Sequence, residues 1–303
     1  MKAINTYISG FKNSTKYTKL IFLIYCFNLI LALIVVIPFR SSLAAGFGQS
    51  MLPDTLLNGF DFTSVSEFMR LDSNKIAGFF AQVKWIVMLY LFLNIFFAGG
   101  ILVTIINKEK YDLRSFIAGC LKYLFRFLKL FIYMALFHIL VAVVVYLPLV
   151  LILKGAAKTV ESESTLFYIG LAGFLVHLFL FANLLMVSYY TKIRIVTEDS
   201  NKVFKYIFKS VRFVSSHFLS AFPLIILLVI SLAILMLLFF SLNHIIGTST
   251  GLTILIMFII QQGFIFSRVF IRIWAYSSQY DLFRIFTPEK LNEIPETDSQ
   301  WVI

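Results

Sequence analysis

Six long apolar stretches constrain this chain more than any other feature of its sequence. They cover residues 20–38, 85–107, 130–153, 166–190, 218–242 and 252–274. A helix needs about 20 mostly apolar residues to cross the hydrocarbon core of a bilayer, and each stretch is about that long. Three contain no histidine or charged side chain, and the others contain only His138, His177, or Arg268 and Arg272. The sequence therefore predicts an all-α, polytopic integral membrane protein with about six transmembrane helices.

The composition leaves too little charge for a soluble fold of this length. Of 303 residues, 60% are hydrophobic, 26 are Lys or Arg and 15 are Asp or Glu, whereas about a quarter of a soluble protein is charged. The net charge of +11 comes from basic residues beside the apolar stretches, which favours anionic lipid as a partner over nucleic acid. Cys26 and Cys120 form neither a disulfide framework nor a metal-ligand spacing, and no cofactor or metal is predicted.

The same basic residues predict the orientation, because cytoplasmic connections carry an excess of Lys and Arg. Residues 1–19 and the connections 108–129 and 191–217 are rich in them, whereas 154–165 and 243–251 have no net positive charge. We therefore expect both termini on the cytoplasmic side of a bacterial inner membrane, with the first span retained rather than cleaved as a leader.

The sequence predicts a transmembrane domain of residues 1–286, which includes a long outer loop, and a separate tail after it. The outer loop, 40–84, is too apolar for a solvated linker and is expected to form short helices over the outer mouth. The polar, acid-rich residues 287–303 are expected to form a flexible cytoplasmic tail.

Two basic connections have the period of an amphipathic helix. Apolar residues recur at i, i+3 and i+4 through 111–128, and 201–214 repeats the pattern, with Asp199 or Ser200 as its expected cap. Residues 4–11 are a weaker version. A bulky apolar face beside a basic face is typical of a helix in the membrane interface. Since LKYLFR at 121–126 matches FKYIFK at 204–209, we predict three repeats, each an interfacial helix followed by a transmembrane hairpin.

The basic residues of these segments are candidate contacts for lipid head groups, because each Lys or Arg near an anionic leaflet contributes about 1 kcal/mol. The candidates are Arg114, Lys122, Arg126, Lys205, Lys209, Arg212, Arg268 and Arg272. The alternative is that these residues only set topology and anchor the chain. For Arg268 and Arg272, snorkelling to the interface is the alternative.

Polar side chains inside the spans are a second set of candidates. They are Asn28, Asn94, His138, His177, Asn183, Gln261 and Gln262. Such groups usually form hydrogen bonds between helices, although His138 and His177 lie on neighbouring antiparallel spans and could meet or sense pH. No Asp or Glu lies in any span, which argues against a proton- or sodium-driven carrier.

A few local sequences carry a resemblance. They are Phe97-Ala98-Gly99-Gly100, Arg194-Ile195-Val196, Gln261-Gln262 with Arg268 and Arg272, and YSSQYDLFR at 276–284. With this layout the chain resembles uncharacterised bacterial six-span membrane proteins, which are loosely similar to the membrane domain attached to some glycerophosphodiester phosphodiesterases. The resemblance implies a fold and a location but no activity, since a phosphodiesterase barrel needs about 250 residues of βα repeat.

These features favour a non-enzymatic bacterial membrane protein that binds or organises lipids or partner proteins in the cell envelope. The alternative is a transporter or channel for a lipidic or apolar solute, which three hairpins with glycines and prolines would also allow. No nucleophile, acid–base pair or phosphate-binding glycine loop is readable, so an enzyme is the least favoured reading.

Overall fold

The fold is all-α, as predicted. A computed structural model describes residues 2–47, 62–63, 66, 73–107, 112–159, 163–246 and 250–287, and no strand occurs among them. The helices are α1 (Lys2–Ser14), α2 (Thr18–Phe47), α3 (Ser73–Asn107), α4 (Leu113–Thr159), α5 (Glu163–Thr197), α6 (Val203–Ser216), α7 (Phe218–Ile246) and α8 (Gly251–Phe286).

The six predicted spans lie within α2, α3, α4, α5, α7 and α8. All six helices are long and apolar enough to cross a membrane. At 1.5 Å per residue the 36 residues of α8 extend over about 54 Å, well beyond a hydrocarbon core of about 30 Å. The most apolar window of α4 has none of its residues buried. Apolar surface of this extent is stable only in contact with lipid, so the chain is a multi-pass membrane protein.

Three amphipathic segments precede the three hairpins. The first is α1, which a single 3-10 turn (Thr15–Tyr17) separates from α2. The third is α6, which ends one residue before α7. The second differs from the expected separate helix, because residues 113–129 are the first part of the continuous 47-residue α4. Nothing in 113–159 breaks a helix before Pro148, so the amphipathic segment runs straight into the span.

Helix lengths repeat in the same threefold order. The first helices of the hairpins are α2 with 30 residues, residues 130–159 of α4, and α7 with 29. The second helices are α3 with 35 residues, α5 with 35 and α8 with 36. The layout of three repeated units therefore appears in the structure as well as in the local sequence.

The chain forms two compact units. One comprises Met1–Lys16, Ala98–Val229 and Trp274–Ile303, and the other comprises Tyr17–Phe97 and Ile230–Ile273. The first unit contains all three amphipathic segments. It also contains the last turns of the second hairpin helices (98–107 of α3, 186–197 of α5 and 274–286 of α8), which we name the exit ends.

Within the second unit, polar and aromatic side chains join the helices. Tyr25 of α2 donates a hydrogen bond to Oε1 of Gln262 in α8 at 2.9 Å, and its ring meets Phe266 edge to face. Phe239 of α7 stacks on Phe264 of α8 with ring centroids 4.5 Å apart. These contacts are interhelical, which is the structural role expected of Gln262.

Two sequence predictions fall largely outside the described residues. Most of the outer loop lies between Phe47 and Ser73, so its expected short helices stay a prediction. Both ends of the region predicted as loop, 40–47 and 73–84, instead continue α2 and α3. The tail from 288 to 303 also lies outside the described residues.

Candidate functional site

The candidate site is the layer that the amphipathic segments and the exit ends form in the first unit. Each segment packs on the exit end of the hairpin that precedes it in the repeat. The second segment lies on the exit end of α3, and the third on that of α5. The first segment lies on the exit end of α8, so the third hairpin takes the place of a hairpin before the first.

The first joint, α1 on the exit end of α8, is made by close backbone packing and by hydrogen bonds. Gly10 lies so close to Ser278 that a methyl group on Gly10 would come within 2.7 Å of the Ser278 backbone nitrogen. The Trp274 indole donates to the Tyr7 carbonyl oxygen at 2.8 Å. Ser9 and Asn13 both donate to one carboxylate oxygen of Asp281.

The second joint, residues 113–129 on the exit end of α3, is a close approach of two backbones. A methyl group on Gly99 would lie 2.7 Å from the Gly119 carbonyl oxygen, and one on Gly100 would lie 2.5 Å from the Phe116 ring. Cys120 is also buried here. The glycine pair of the sequence is therefore a helix-packing feature.

The second segment also meets the turn after α5, where charges replace small residues. Asp199, with a left-handed φ of 40°, accepts from Lys122 at 2.8 Å and from Arg126 at 2.6 Å. The Tyr123 hydroxyl donates to the same carboxylate at 3.2 Å. Partial burial opposes the charged form, but the hydrogen bonds and charges of Lys122 and Arg126 outweigh it and hold the pKa of Asp199 below its ordinary value.

The cap predicted for the third segment is wrong. The N-cap of α6 is Lys202, which makes no side-chain capping bond. Asp199 is turned toward the second segment instead, and the Ser200 hydroxyl accepts from the Lys202 backbone N–H at 3.3 Å. The carboxylate has two cations within reach, which outweighs a single neutral N–H group.

The third joint, α6 on the exit end of α5, combines an ion-pair network with aromatic packing. Glu198 accepts from Arg194 at 3.2 Å and from Lys209 at 3.3 Å. Phe213 of α6 packs on Tyr190, with ring centroids 4.8 Å apart. The Arg194 guanidinium lies over Phe213 and over Phe283 of the α8 exit end. From the sequence, Arg194 was named only within the resemblance and Glu198 was not singled out, although their i, i+4 spacing was a readable signal of an ion pair.

All three segments expose a row of large apolar side chains. The rows are Ile4, Ile8 and Phe11 in the first segment, Leu113, Ile117, Leu121 and Phe125 in the second, and Phe204, Phe208 and Val211 in the third. A different face of each segment is buried, such as Phe116, Cys120 and Phe127 in the second. The single apolar stripe read from the sequence is thus two stripes, one buried against protein and one largely exposed, in which Phe11 meets Trp274 and Phe204 meets Tyr133.

The predicted head-group contacts divide into two groups. Lys122, Arg126 and Lys209 pair with Asp199 or Glu198, as described above. Arg114, Lys205 and Arg212 are exposed, and each directly follows or precedes a member of an apolar row. The exposed group is better placed to meet lipid, because its side chains lie at the surface, although the charge of Arg114 also acts on the nearby Asp112 carboxylate.

The two arginines of span six differ in their surroundings. Arg272 donates to the side-chain oxygen of Asn94 in α3 and, at 2.6 Å, to the Asn94 backbone oxygen. The Asn94 amide also donates to the Tyr90 carbonyl oxygen. Arg268 is exposed and lies over the Phe264 ring. Arg272 therefore joins two helices of the second unit, while contact with a head group stays a prediction for both.

His138 and His177 both lie against Phe181 of α5. Ring centroids are 4.9 Å apart for His138 and 6.4 Å apart for His177, which also meets Tyr146 at 5.1 Å. His138 Nδ1 is 2.6 Å from the Met134 carbonyl oxygen of its own helix. An aromatic ring thus neighbours both imidazoles, and the described residues contain no group of three or more potential metal ligands.

The remaining intramembrane candidates have local or open positions. Asn183 donates to the Phe179 carbonyl oxygen one turn earlier. Asn28 is half-buried and Gln261 is exposed. The structure assigns none of the three to a shared site.

Comparisons with known proteins give no relatives: no family model, curated protein or solved structure matches this chain. The resemblance read from the sequence therefore stays a prediction, and the geometry of the described residues is the basis for any proposed function.

Proposed function

We propose that this protein binds and organises anionic lipids in the cytoplasmic membrane of a bacterium, through its three amphipathic segments and without catalysis. Both termini would then lie in the cytoplasm. A partner protein would meet the same surface only where lipid leaves it free.

One observation carries the proposal: each segment exposes an apolar row directly beside basic side chains. In the third segment, Lys205 follows Phe204 and Arg212 follows Val211, and all four are exposed. Neighbouring positions on a helix are about 100° apart, so the apolar and basic rows lie side by side along the helix. This is the arrangement that places apolar side chains below the head groups and cations at their level.

The two rows have different energetic roles. Burying a large apolar side chain stabilises by about 1.5–3 kcal/mol, which fixes the depth of the segment whatever the lipid. Each cation near an anionic surface adds about 1 kcal/mol and loses that gain at a neutral surface. Selectivity for anionic lipid should therefore depend on the exposed bases and hardly on the paired ones.

Native mass spectrometry of the full chain, released from nanodiscs of mixed anionic and zwitterionic lipid, tests this. Charge reversal of Lys205 and Arg212 together should reduce retained anionic lipid severalfold. Arg40→Glu with Lys154→Glu is the matched control, because both side chains are exposed and lie outside the segments. The control should retain anionic lipid like the wild type. Equal retention in all three proteins would contradict the proposal.

The same reconstituted protein tests the alternative of transport. Vesicles carrying labelled lipid or an apolar dye should show no more flux than protein-free vesicles. Flux above that background, abolished by a helix-locking cross-link, would replace lipid organisation by transport of a lipidic or apolar solute.

A further inference from the structure

Buried polar atoms without partners are concentrated in one part of the first unit. Within the described residues eight side-chain atoms are buried and have no hydrogen-bond partner. Five of them belong to four residues, namely Tyr190, Arg194 (through Nε), Ser210 and Gln279 (through both amide atoms). Each of these residues is at most 8% exposed. We name these four residues the polar cluster.

Helix geometry brings the polar cluster together around Phe213. Its ring contacts Tyr190 and Phe283 and lies under the Arg194 guanidinium. Ser210 is one turn before Phe213 in α6, and Gln279 is one turn before Phe283 in α8. Residues one turn apart share a helix face, so Ser210 lies on the face of α6 that carries Phe213, and Gln279 lies on the face of α8 that carries Phe283.

Flanking contacts fix the register. Between α5 and α8, Tyr189 meets Tyr276 and Arg194 meets Phe283, which places Tyr190 level with residues 277–279. Between α5 and α6, Glu198 meets Lys209 and Tyr190 meets Phe213, which places Ser210 opposite Arg194. Ser278 is different, because it faces Gly10 of α1, and it is not part of the cluster.

The surroundings of the polar cluster are net positive. Arg194 and Lys209 share the single carboxylate of Glu198. Lys192 adds another cation, with its ammonium 3.5 Å from the Tyr276 hydroxyl. Buried polar atoms in native proteins are almost always bonded to protein, water or a ligand, and here the excess charge favours an anion.

We propose that the polar cluster binds a phosphate group, supplied by an anionic lipid head group or as free hydrogen phosphate. Arg194 Nε, the two hydroxyls and the Gln279 amide donate to the phosphate oxygens. Oε1 of Gln279 needs a donor in return, which a glycerol hydroxyl or the protonated oxygen of hydrogen phosphate provides. The proposal uses none of the exposed apolar rows and stands apart from the proposed function.

The test is binding of defined probes to the full chain in detergent, measured by thermal shift and titration. Short-chain phosphatidylglycerol should raise the melting temperature, whereas phosphatidylcholine of the same chain length should not, because its choline meets the cationic surroundings. A shift with inorganic phosphate alone identifies free phosphate as the source. A shift with phosphatidylglycerol alone identifies the lipid head group. Either result supports the site.

Matched serine variants separate binding from folding. Ser210→Ala and Gln279→Leu should each reduce the affinity for the probe at least tenfold. Ser210→Ala should not lower the melting temperature of the ligand-free protein, because the Ser210 hydroxyl has no hydrogen-bond partner there. The control is Ser14→Ala, in another fully buried serine of an amphipathic segment. Its hydroxyl donates to the Gly10 carbonyl oxygen at 2.7 Å, so its loss should lower the melting temperature and leave probe binding unchanged.

Two outcomes overturn the proposal. One is the absence of any shift with both phosphatidylglycerol and phosphate, and the other is unchanged affinity in Ser210→Ala and Gln279→Leu, which leaves water as the occupant. These outcomes would not contradict the lipid-organising function, because that function depends on other residues. Conversely, Lys205→Glu with Arg212→Glu should not alter probe binding at the polar cluster.

Discussion

The first joint and the contact between the second segment and the α5 turn solve one packing problem in different ways. In the first joint, Asp281 accepts from the neutral side chains of Ser9 and Asn13, and Gly10 lies against the backbone of α8. At the other contact, Asp199 is held by Lys122 and Arg126 at a half-exposed position. Shape therefore dominates one contact and screened charge dominates the other, so they should respond differently to volume, salt and pH.

The largest expected effect is steric and belongs to the first joint. Gly10→Val should release α1 from α8, because its Cβ would lie 2.7 Å and 2.8 Å from backbone atoms of Ser278. Overpacking of this kind costs about 1–3 kcal/mol. Thermal unfolding in detergent and protease cleavage near α1 measure the loss. Gly263→Ala, on the same α8 but with nothing within 4 Å, is the control and should be at least as stable as the wild type.

The next effect tests the acceptor in the first joint. Asp281→Ala leaves Ser9 and Asn13 without their shared acceptor, and we expect a loss of about 1–3 kcal/mol. Asp281→Asn keeps one carbonyl oxygen and should recover more than half of that loss. If the asparagine variant is as unstable as the alanine variant, then the negative charge of Asp281, and not only its acceptor oxygen, stabilises the first joint.

A smaller effect distinguishes the charged contact by its pH dependence. The folded-state pKa of Asp199 is below its ordinary value of 3.8, so its stabilisation is complete above that value and is lost as the pH falls through the folded-state pKa. The stability difference between wild type and Asp199→Asn should be constant near neutral pH, at most about 1 kcal/mol, and should shrink below about pH 4. Unfolding curves of both proteins from pH 7 to strongly acidic pH measure it. An equal difference at all pH values would refute the ion-pair account.

The smallest effect separates the two cations on Asp199. The Arg126 side chain is 17% exposed and that of Lys122 is 51% exposed. Arg126→Gln should therefore cost more than Lys122→Gln, for which we expect about 0.2–0.5 kcal/mol. High salt should reduce the Lys122 effect further, because exposed pairs are screened. A larger effect for Lys122 would contradict the order of exposure.

The sequence alone predicts the features that depend only on how one segment of the chain meets lipid or water. A bilayer requires about 20 apolar residues in a row, so the six spans could be predicted and are confirmed. The periods of 111–128 and 201–214 predicted amphipathic helices for the same reason. Gly99 and Gly100 are adjacent glycines in a span, a pattern typical of a close helix approach, which the structure shows.

Features that depend on distant partners could not be predicted in the same way. A helical period gives one apolar stripe, but it does not say that Phe116 packs inward while Ile117 stays open. Asp199 looked like a local cap, yet its partners are 73 and 76 positions away. Gly10 is a lone glycine between Ser9 and Phe11, and only the position of Ser278 in α8 shows its role in packing. At all three positions the contacts are made with residues that are distant in the sequence.

The first joint connects residues that are 272 positions apart along the chain. During synthesis α1 leaves the ribosome early, and its binding surface on α8 exists only after the last hairpin has entered the bilayer. Until then the Gly10 face of α1 lacks the α8 backbone on which it packs. Packing of α1 on α8 can therefore occur only after the last hairpin has been inserted. A truncation within α8 should leave the first segment open to proteolysis.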